Sequence, residues 1–310
     1  MGLQPEPWLD PPSETNLLAT SASPGHLGPY RLLNVVNTGQ TSRIWQAYHD
    51  GDEKLCGLKT LLHQFVRNRE HLGYLKQEWI VAEKFDNPRV IKMLEFGTSK
   101  NEPYLAMEWF ASPNLKHRLR YDYEQIEYQF PKIIEQMCDA LIYLHGQGWI
   151  HRDVKPDNYL VDDSGELKLI DFALAQRIKG GVSRLLGGKS KVQGTRSYMS
   201  PEQIRGGALD GRADLYSLGC TIFEMLAKKP PFTGTSPNEL LSKHLHSAPP
   251  TLEASNRNIT PECAELLKRT LAKKPSGRPQ SVADFLAELR MIRIFKRPPR
   301  PPREGESKED

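Results

Sequence analysis

A chain of 310 residues, 38% of them hydrophobic, has enough apolar material for one large domain or two lobes, which excludes a wholly disordered polymer. Its 42 basic and 38 acidic side chains leave a formal charge of +4, too even a balance for nucleic-acid binding as the main role. Cys56, Cys138, Cys220 and Cys263 show no paired spacing, which argues against a zinc site or disulfide framework and fits a reducing compartment. No apolar run reaches the roughly 18 residues that span a bilayer, and the first residues lack the basic-then-apolar order of a secretory signal, so a soluble, cytoplasmic protein is expected.

Residues 1–28, rich in Pro, Ser, Gly and Thr, read as a disordered leader. From Tyr30 the pattern changes to short strand-like runs over 30–36, 42–49 and 54–61, separated by turn residues, which predicts an antiparallel meander. Leu72, Leu75, Trp79 and Ala82 recur at helical spacing within a helix expected over 69–85, ended by Asn87-Pro88. Strands at 90–96 and 104–108 complete a five-stranded antiparallel sheet with one main helix, an N-terminal lobe over 29–108. A mostly helical lobe follows over 109–295, an α+β architecture overall.

In that second lobe Phe130, Ile133, Ile134, Met137, Leu141 and Leu144 form one apolar helix stripe. Asp162 to Gly165 between two short apolar runs is a hairpin signature. The Gly- and Lys-rich stretch 179–194 reads as a mobile loop, 214–226 as a buried central helix, and 238–246, 261–272 and 282–294 as further helices. Residues 296–310, Pro/Arg-rich and then acidic, are expected to be a disordered tail. The run Arg297 to Pro302 suits an extended proline helix docking the groove of an SH3-like partner, or a plain linker.

The densest chemistry lies in His151-Arg152-Asp153-Val154-Lys155-Pro156-Asp157-Asn158, where Pro156 forbids a continuous helix and holds the polar groups on a short turn. Asp153 is placed to accept a proton, and Asn158 to bind a metal. Asp171, after a strand, suits a hard cation, and a carboxylate plus an amide, completed by waters and substrate phosphates, is how magnesium is held. Lys59 on a strand and Glu78 on the helix are suited to an ion pair that aims a cation at phosphates.

From about Tyr30 to Phe295 these motifs together resemble a eukaryotic-type (Hanks-type) Ser/Thr protein kinase, closest in style to bacterial members. The resemblance implies a two-lobed fold, ATP and Mg²⁺ as cofactors, and transfer of the γ-phosphoryl to Ser or Thr of protein substrates. Asp153 and Lys155 would be catalytic, and Asn158 and Asp171 would hold metal. Val36, Gly39, Ile44, Lys59, Glu78, Met107, Glu108, Phe110 and Leu160 would bind nucleotide, with Met107 as gatekeeper. Ser200-Pro201-Glu202, Arg278 and Asp214 match supporting positions, Thr195 is placed to bond Asp153 and Lys155, and Lys155 marks Ser/Thr specificity. Arg152 beside Asp153 suggests an activation segment ordered by phosphate, with autophosphorylation expected at Ser190 ahead of Ser183.

Four positions depart from the family pattern. Asn37 and Ser42 replace glycines of the phosphate loop, Ala173 replaces the glycine after Asp171-Phe172, and Gly57 stands where alanine roofs the adenine, an exchange expected to loosen that roof. Ala173 is expected to resist positive φ and so to disfavour flipping of Asp171. A pseudokinase scaffold, binding nucleotide or partners without transfer, is the alternative reading.

Overall fold

The computed structural model describes residues 25–178 and 193–301. The leader up to residue 24, Ser183 and Ser190, most of the Gly/Lys-rich stretch and the end of the tail from Pro302 lie outside the described residues.

The first lobe is one antiparallel sheet of β1 (His26–Leu27), β2 (Tyr30–Thr38), β3 (Ser42–His49), β4 (Lys54–Leu61), β5 (Met93–Ser99) and β6 (Glu102–Glu108), in the order β1-β2-β3-β4-β6-β5. It therefore has six strands rather than the five expected. The extra strand falls inside the stretch read as leader. Gly28, at φ +62°, lets the chain double back at Pro29, and Leu27 is buried in a cluster with Tyr30, Leu58 and Tyr104. The fourth strand of the sequence reading, expected from residue 90, also begins later, at Met93, because Val90 instead forms a parallel bridge to Leu169 in the other lobe.

Helix α1 (Arg69–Ala82) starts where Asn68 accepts hydrogen bonds from the Glu70 and His71 N–H groups, and it buries Leu75, Glu78, Val81 and Ala82. Its length matters less than its register, which carries Glu78 inward with the apolar residues.

The second lobe comprises α2 (Leu115–Tyr121), α3 (Tyr123–Ile126), α4 (Phe130–Gly146), α5 (Pro201–Ile204), α6 (Gly211–Ala227), α7 (Pro237–His246), α8 (Leu252–Ser255), α9 (Pro261–Thr270) and α10 (Val282–Arg290). The expected α4 stripe is wholly buried, and every α6 residue from Ala213 to Ala227 is buried, as its apolar composition requires. Each leucine or phenylalanine so removed from water stabilises by about 1.5–3 kcal/mol, so α6 is the post around which the lobe packs. Beyond Phe295, which bridges Ile259, the chain stays pinned: Asn258 accepts from Arg297 N–H and donates to its carbonyl.

Two small ribbons matter for function. β7 (Trp149–Ile150) pairs with β10 (Gln176–Arg177), and β8 (Tyr159–Val161) pairs with β9 (Leu167–Leu169) across the expected hairpin. The loops 151–158 and 170–175 are each clamped at both ends and so lie side by side.

Candidate active site

Alternation along the sheet puts Ile44, Lys59 and Gly57 on one face, since Ile44 pairs with Lys59 and Gly57 with Met107. Lys59 Nζ lies 2.6 Å from Glu78 Oε2 on α1 and 3.7 Å from Asp171 Oδ1 in the second lobe. Burial works against the Lys59 ammonium, but Asp171 and Glu78 outweigh it and hold the proton above the usual lysine range. Burial likewise opposes the charged form of Asp171, yet Lys59, His151 and Lys155 keep its carboxyl below the ordinary aspartate value.

The 151–158 loop is tied from beneath. Asp214, fully buried on α6, accepts from His151 N–H at 2.7 Å, Arg152 N–H at 2.8 Å and lies 2.8 Å from His145 Nε2. His151 Nε2 faces the Ile170 carbonyl at 3.2 Å, which assigns the proton to Nε2 and leaves Nδ1 to accept from Asp153 N–H at 3.3 Å. The His151 ring stacks edge-on with Phe172, and Phe172 with Phe85. His151 is thus a strut between the two loops.

Above it, Asp153 Oδ1 accepts from Thr195 N–H at 2.8 Å and Oδ2 meets Lys155 Nζ at 2.8 Å, while Lys155 also donates to Thr195 Oγ1 at 2.7 Å. Thr195 does contact both residues, to Asp153 through its backbone. Asn158 Nδ2 donates to the Asp153 carbonyl at 2.8 Å and reaches its Oδ2 at 3.3 Å, and Asn158 Oδ1 accepts no hydrogen bond among the described residues. An amide oxygen and the carboxylate of Asp171, kept ionised by its neighbours, are the donor types of a hard-cation site, whose shell phosphate oxygens and water would complete.

The departures take on a physical meaning here. Asn37 and Ser42 sit in the β2–β3 ladder, and neither has a positive φ, so no glycine-only conformation is demanded of them. The turn closes through Gly39 N–H to the Ser42 carbonyl at 2.9 Å. Ala173 also escapes positive φ; the strained residues are Asp171, at φ +65°, and Arg152, at φ +70°. The roof at Gly57 is not simply looser: a Cβ there would stand 3.1 Å from Met107 Cγ, so the methionine already leans into the space. Ala173 N–H bonds Asp171 Oδ1 at 3.3 Å.

The remaining nucleotide candidates lie on strands and at the connection between lobes. Val36 is 52% exposed at a bulge in β2, and Phe110 is half-buried against the core. Leu160 lies on β8, bridged to Asn114. The Glu108 carboxylate is held by Lys168 Nζ at 2.6 Å and Lys92 N–H at 2.7 Å, so at the connection between lobes it offers backbone rather than charge. Sequence reasoning missed His145 as a partner of Asp214 and Gln203, whose Nε2 donates to the Arg152 carbonyl at 2.8 Å. The second was readable, since Ser200 and Gln203 form a capping box at the start of α5.

The Asp214 contacts set a pH dependence. Burial would raise its carboxyl, but hydrogen bonding and charge from His145, with His151, bring it below the ordinary value. With the folded value depressed, the stabilisation is full above the unfolded pKa of about 3.9 and is lost as pH falls through the folded one. Asp214→Asn is expected to flatten the acid limb of the stability profile below pH ~4; equal acid limbs by denaturant titration would refute this.

Residues 30–288 match the protein kinase domain family. The chain is 31% identical over 273 residues to the serine/threonine-protein kinase pkn3 of Myxococcus xanthus, covering 85% of this chain and 50% of that protein. It is 30% identical over 287 residues to the serine/threonine-protein kinase PknB of Mycobacterium leprae, covering 91% and 46% respectively. A probable serine/threonine-protein kinase of Clostridium acetobutylicum is 29% identical over 267 residues, 85% of this chain and 40% of the relative. The chain thus spans half or less of the length of these relatives.

Proposed function

Because the chain belongs to the protein kinase family, with ATP and divalent-metal use implied by that membership, we propose that it is a Ser/Thr protein kinase working with Mg²⁺. The observation that carries this reading is the joining of both lobes at one ammonium: Lys59 meets Glu78 at 2.6 Å and Asp171 at 3.7 Å. ATP supplies the transferable γ-phosphoryl, and the metal screens charge on the phosphates. Lys59 would hold the α and β phosphates, and Asn158 Oδ1 and Asp171 would hold the metal. Asp153 receives the proton of the attacking serine or threonine hydroxyl, oriented by Thr195 N–H, while Lys155 balances charge beside it. Most of the acceleration then comes from positioning and fixed charge.

The scaffold alternative rests on the departures at Asn37, Ser42, Ala173 and Gly57; Asn37, Ser42 and Ala173 all lack positive φ, which weakens it. Magnesium-dependent transfer of labelled phosphate to a basic model protein decides. Asp153→Asn is expected to lower the rate by about 10²–10⁴-fold; a wild-type rate no higher than that variant's would leave the scaffold reading in place. No helix among the described residues is long and apolar enough to cross a membrane. Autophosphorylation at Ser190 and docking of an SH3-like partner on the Pro/Arg run remain part of the proposal, each open to mapping by mass spectrometry or peptide pull-down.

A further inference from the structure

One contact on the acceptor side of the cleft has no part in the transfer chemistry. Glu224 of α6 has a side chain only 7% exposed, beneath the segment that carries Thr195. Its Oε2 accepts from Tyr198 OH at 2.5 Å and its Oε1 from Lys116 Nζ, on α2, at 2.5 Å. Lys116 is 42% exposed, and its ammonium is also 3.5 Å from Tyr198 OH. The lysine is therefore a lid: the carboxylate is buried and the cation that covers it faces outward.

The lid is connected to the reacting position. Thr195 N–H binds Asp153, the chain then makes one short turn over Arg196–Tyr198, and Tyr198 reaches down to Glu224. Because this segment starts at the residue that binds Asp153, a peptide bringing its hydroxyl to Asp153 would pass close to it. Asp157, at the foot of the catalytic loop, is the other carboxylate whose charge reaches Tyr198.

We propose that Lys116 determines substrate specificity by withholding Glu224 from basic acceptor peptides, so that the residue lying over Tyr198 is neutral or acidic. This rests on the reading of Asp153 as the group that meets a protein hydroxyl. For a substrate guanidinium to reach Glu224, the lysine ammonium must leave its partner, and until it does the two cations repel. With one N–H direction not used by Glu224 or Tyr198, the ammonium instead offers a donor to a carboxylate or carbonyl on the peptide. A plain brace would use the same contacts, but it would affect all peptides alike.

The test compares peptides that differ only by Arg or Leu at each position around the acceptor serine, using wild type, Lys116→Met, and Lys116→Met combined with Glu224→Gln. In wild type the Arg:Leu ratio of kcat/KM is expected at or below one at the position over Tyr198. Lys116→Met should raise it about tenfold there, the scale of one partly screened charge pair, and adding Glu224→Gln should remove the gain. Binding of the same peptides with alanine in place of serine, followed by fluorescence anisotropy, reads the ratio without any transfer. An absence of transfer with the expected binding ratios therefore counts against the kinase reading and supports the role of Lys116. A wild type that already prefers Arg over Tyr198, or a Lys116→Met variant whose ratios all stay within about twofold of wild type, overturns the proposal.

Discussion

Replacing Asp171 with alanine is expected to lower metal-dependent transfer by at least about a thousandfold, some 4 kcal/mol of barrier, while leaving the protein folded. The reasons for the two halves differ. The carboxylate stands 3.7 Å from Lys59, so its loss takes away the charged member of the proposed cation donor set and one of two anions beside Lys59. Stability suffers far less, because Lys59 keeps Glu78 at 2.6 Å and Phe172 stays packed between His151 and Phe85. The added cost is backbone: Asp171 sits at φ +65°, which aspartate tolerates better than alanine by about 1 kcal/mol, or about 2–4 °C in Tm for a domain this size. Asp171→Asn separates charge from backbone, since it keeps the φ tolerance; it should match the alanine variant in rate and the wild type in Tm. Retained magnesium-dependent turnover in either variant would remove Asp171 from its assigned role.

That experiment also bears on how much could be read from sequence. The polar skeleton was legible in two ways: Lys59, Glu78, Asp153, Asn158 and Asp171 from residue type and placement, and Glu202, Asp214 and Arg278 only through the resemblance to the kinase family. Their contacts follow from long-range packing and appear only in the fold. The α4 stripe was legible because its buried face has to be apolar at 3.6-residue spacing, and α6 because it is apolar on nearly every side, as a helix buried all round must be. Short elements were not. β1 is two residues long and lies in a Pro/Ser/Gly-rich context, so Leu27 carries no periodic signal until Tyr30 and Tyr104 close over it. The shift of β5 from Val90 to Met93 has the same origin, because both stretches are apolar and only the bridge to Leu169 decides which joins the sheet.

Backbone strain was the hardest to foresee. Attention fell on the replaced glycines at 37, 42 and 173, yet positive φ is found at Arg152 and Asp171, residues whose side chains suggest function rather than flexibility. Each is held there by specific partners. Arg152 donates its N–H to Asp214 and accepts at its carbonyl from Gln203, and Asp171 accepts from Ala173 N–H. At Arg152 the strain is imposed by α6 and α5, elements far away in sequence, so the 151–158 loop depends on the packing of the second lobe; at Asp171 the partner is local.

Removing Glu202 should therefore be felt in both stability and activity. Arg278 has a fully buried side chain and forms a bidentate pair with Glu202, Nη1 to Oε1 at 2.7 Å and Nη2 to Oε2 at 2.9 Å. Breaking a buried pair by deleting one partner costs about 3–5 kcal/mol, since the remaining charge is left uncompensated. Here the guanidinium also donates to the carbonyls of Ala272 at 2.8 Å and Arg212 at 2.7 Å, which favours the lower end. Glu202→Ala is expected to cost about 3 kcal/mol, a fall in Tm of about 6–12 °C at 2–4 °C per kcal/mol. Because Glu202 lies on α5, whose Gln203 supports Arg152, transfer should fall as well, through kcat more than through nucleotide affinity. Replacing the pair together, Glu202→Leu with Arg278→Met, should recover much of the stability, since two apolar groups leave no stranded charge, while the activity stays low. A Glu202→Ala protein melting within about 1 °C of wild type would mean that the carbonyls alone satisfy Arg278, and that the link between α5 and the central helix does not depend on this pair.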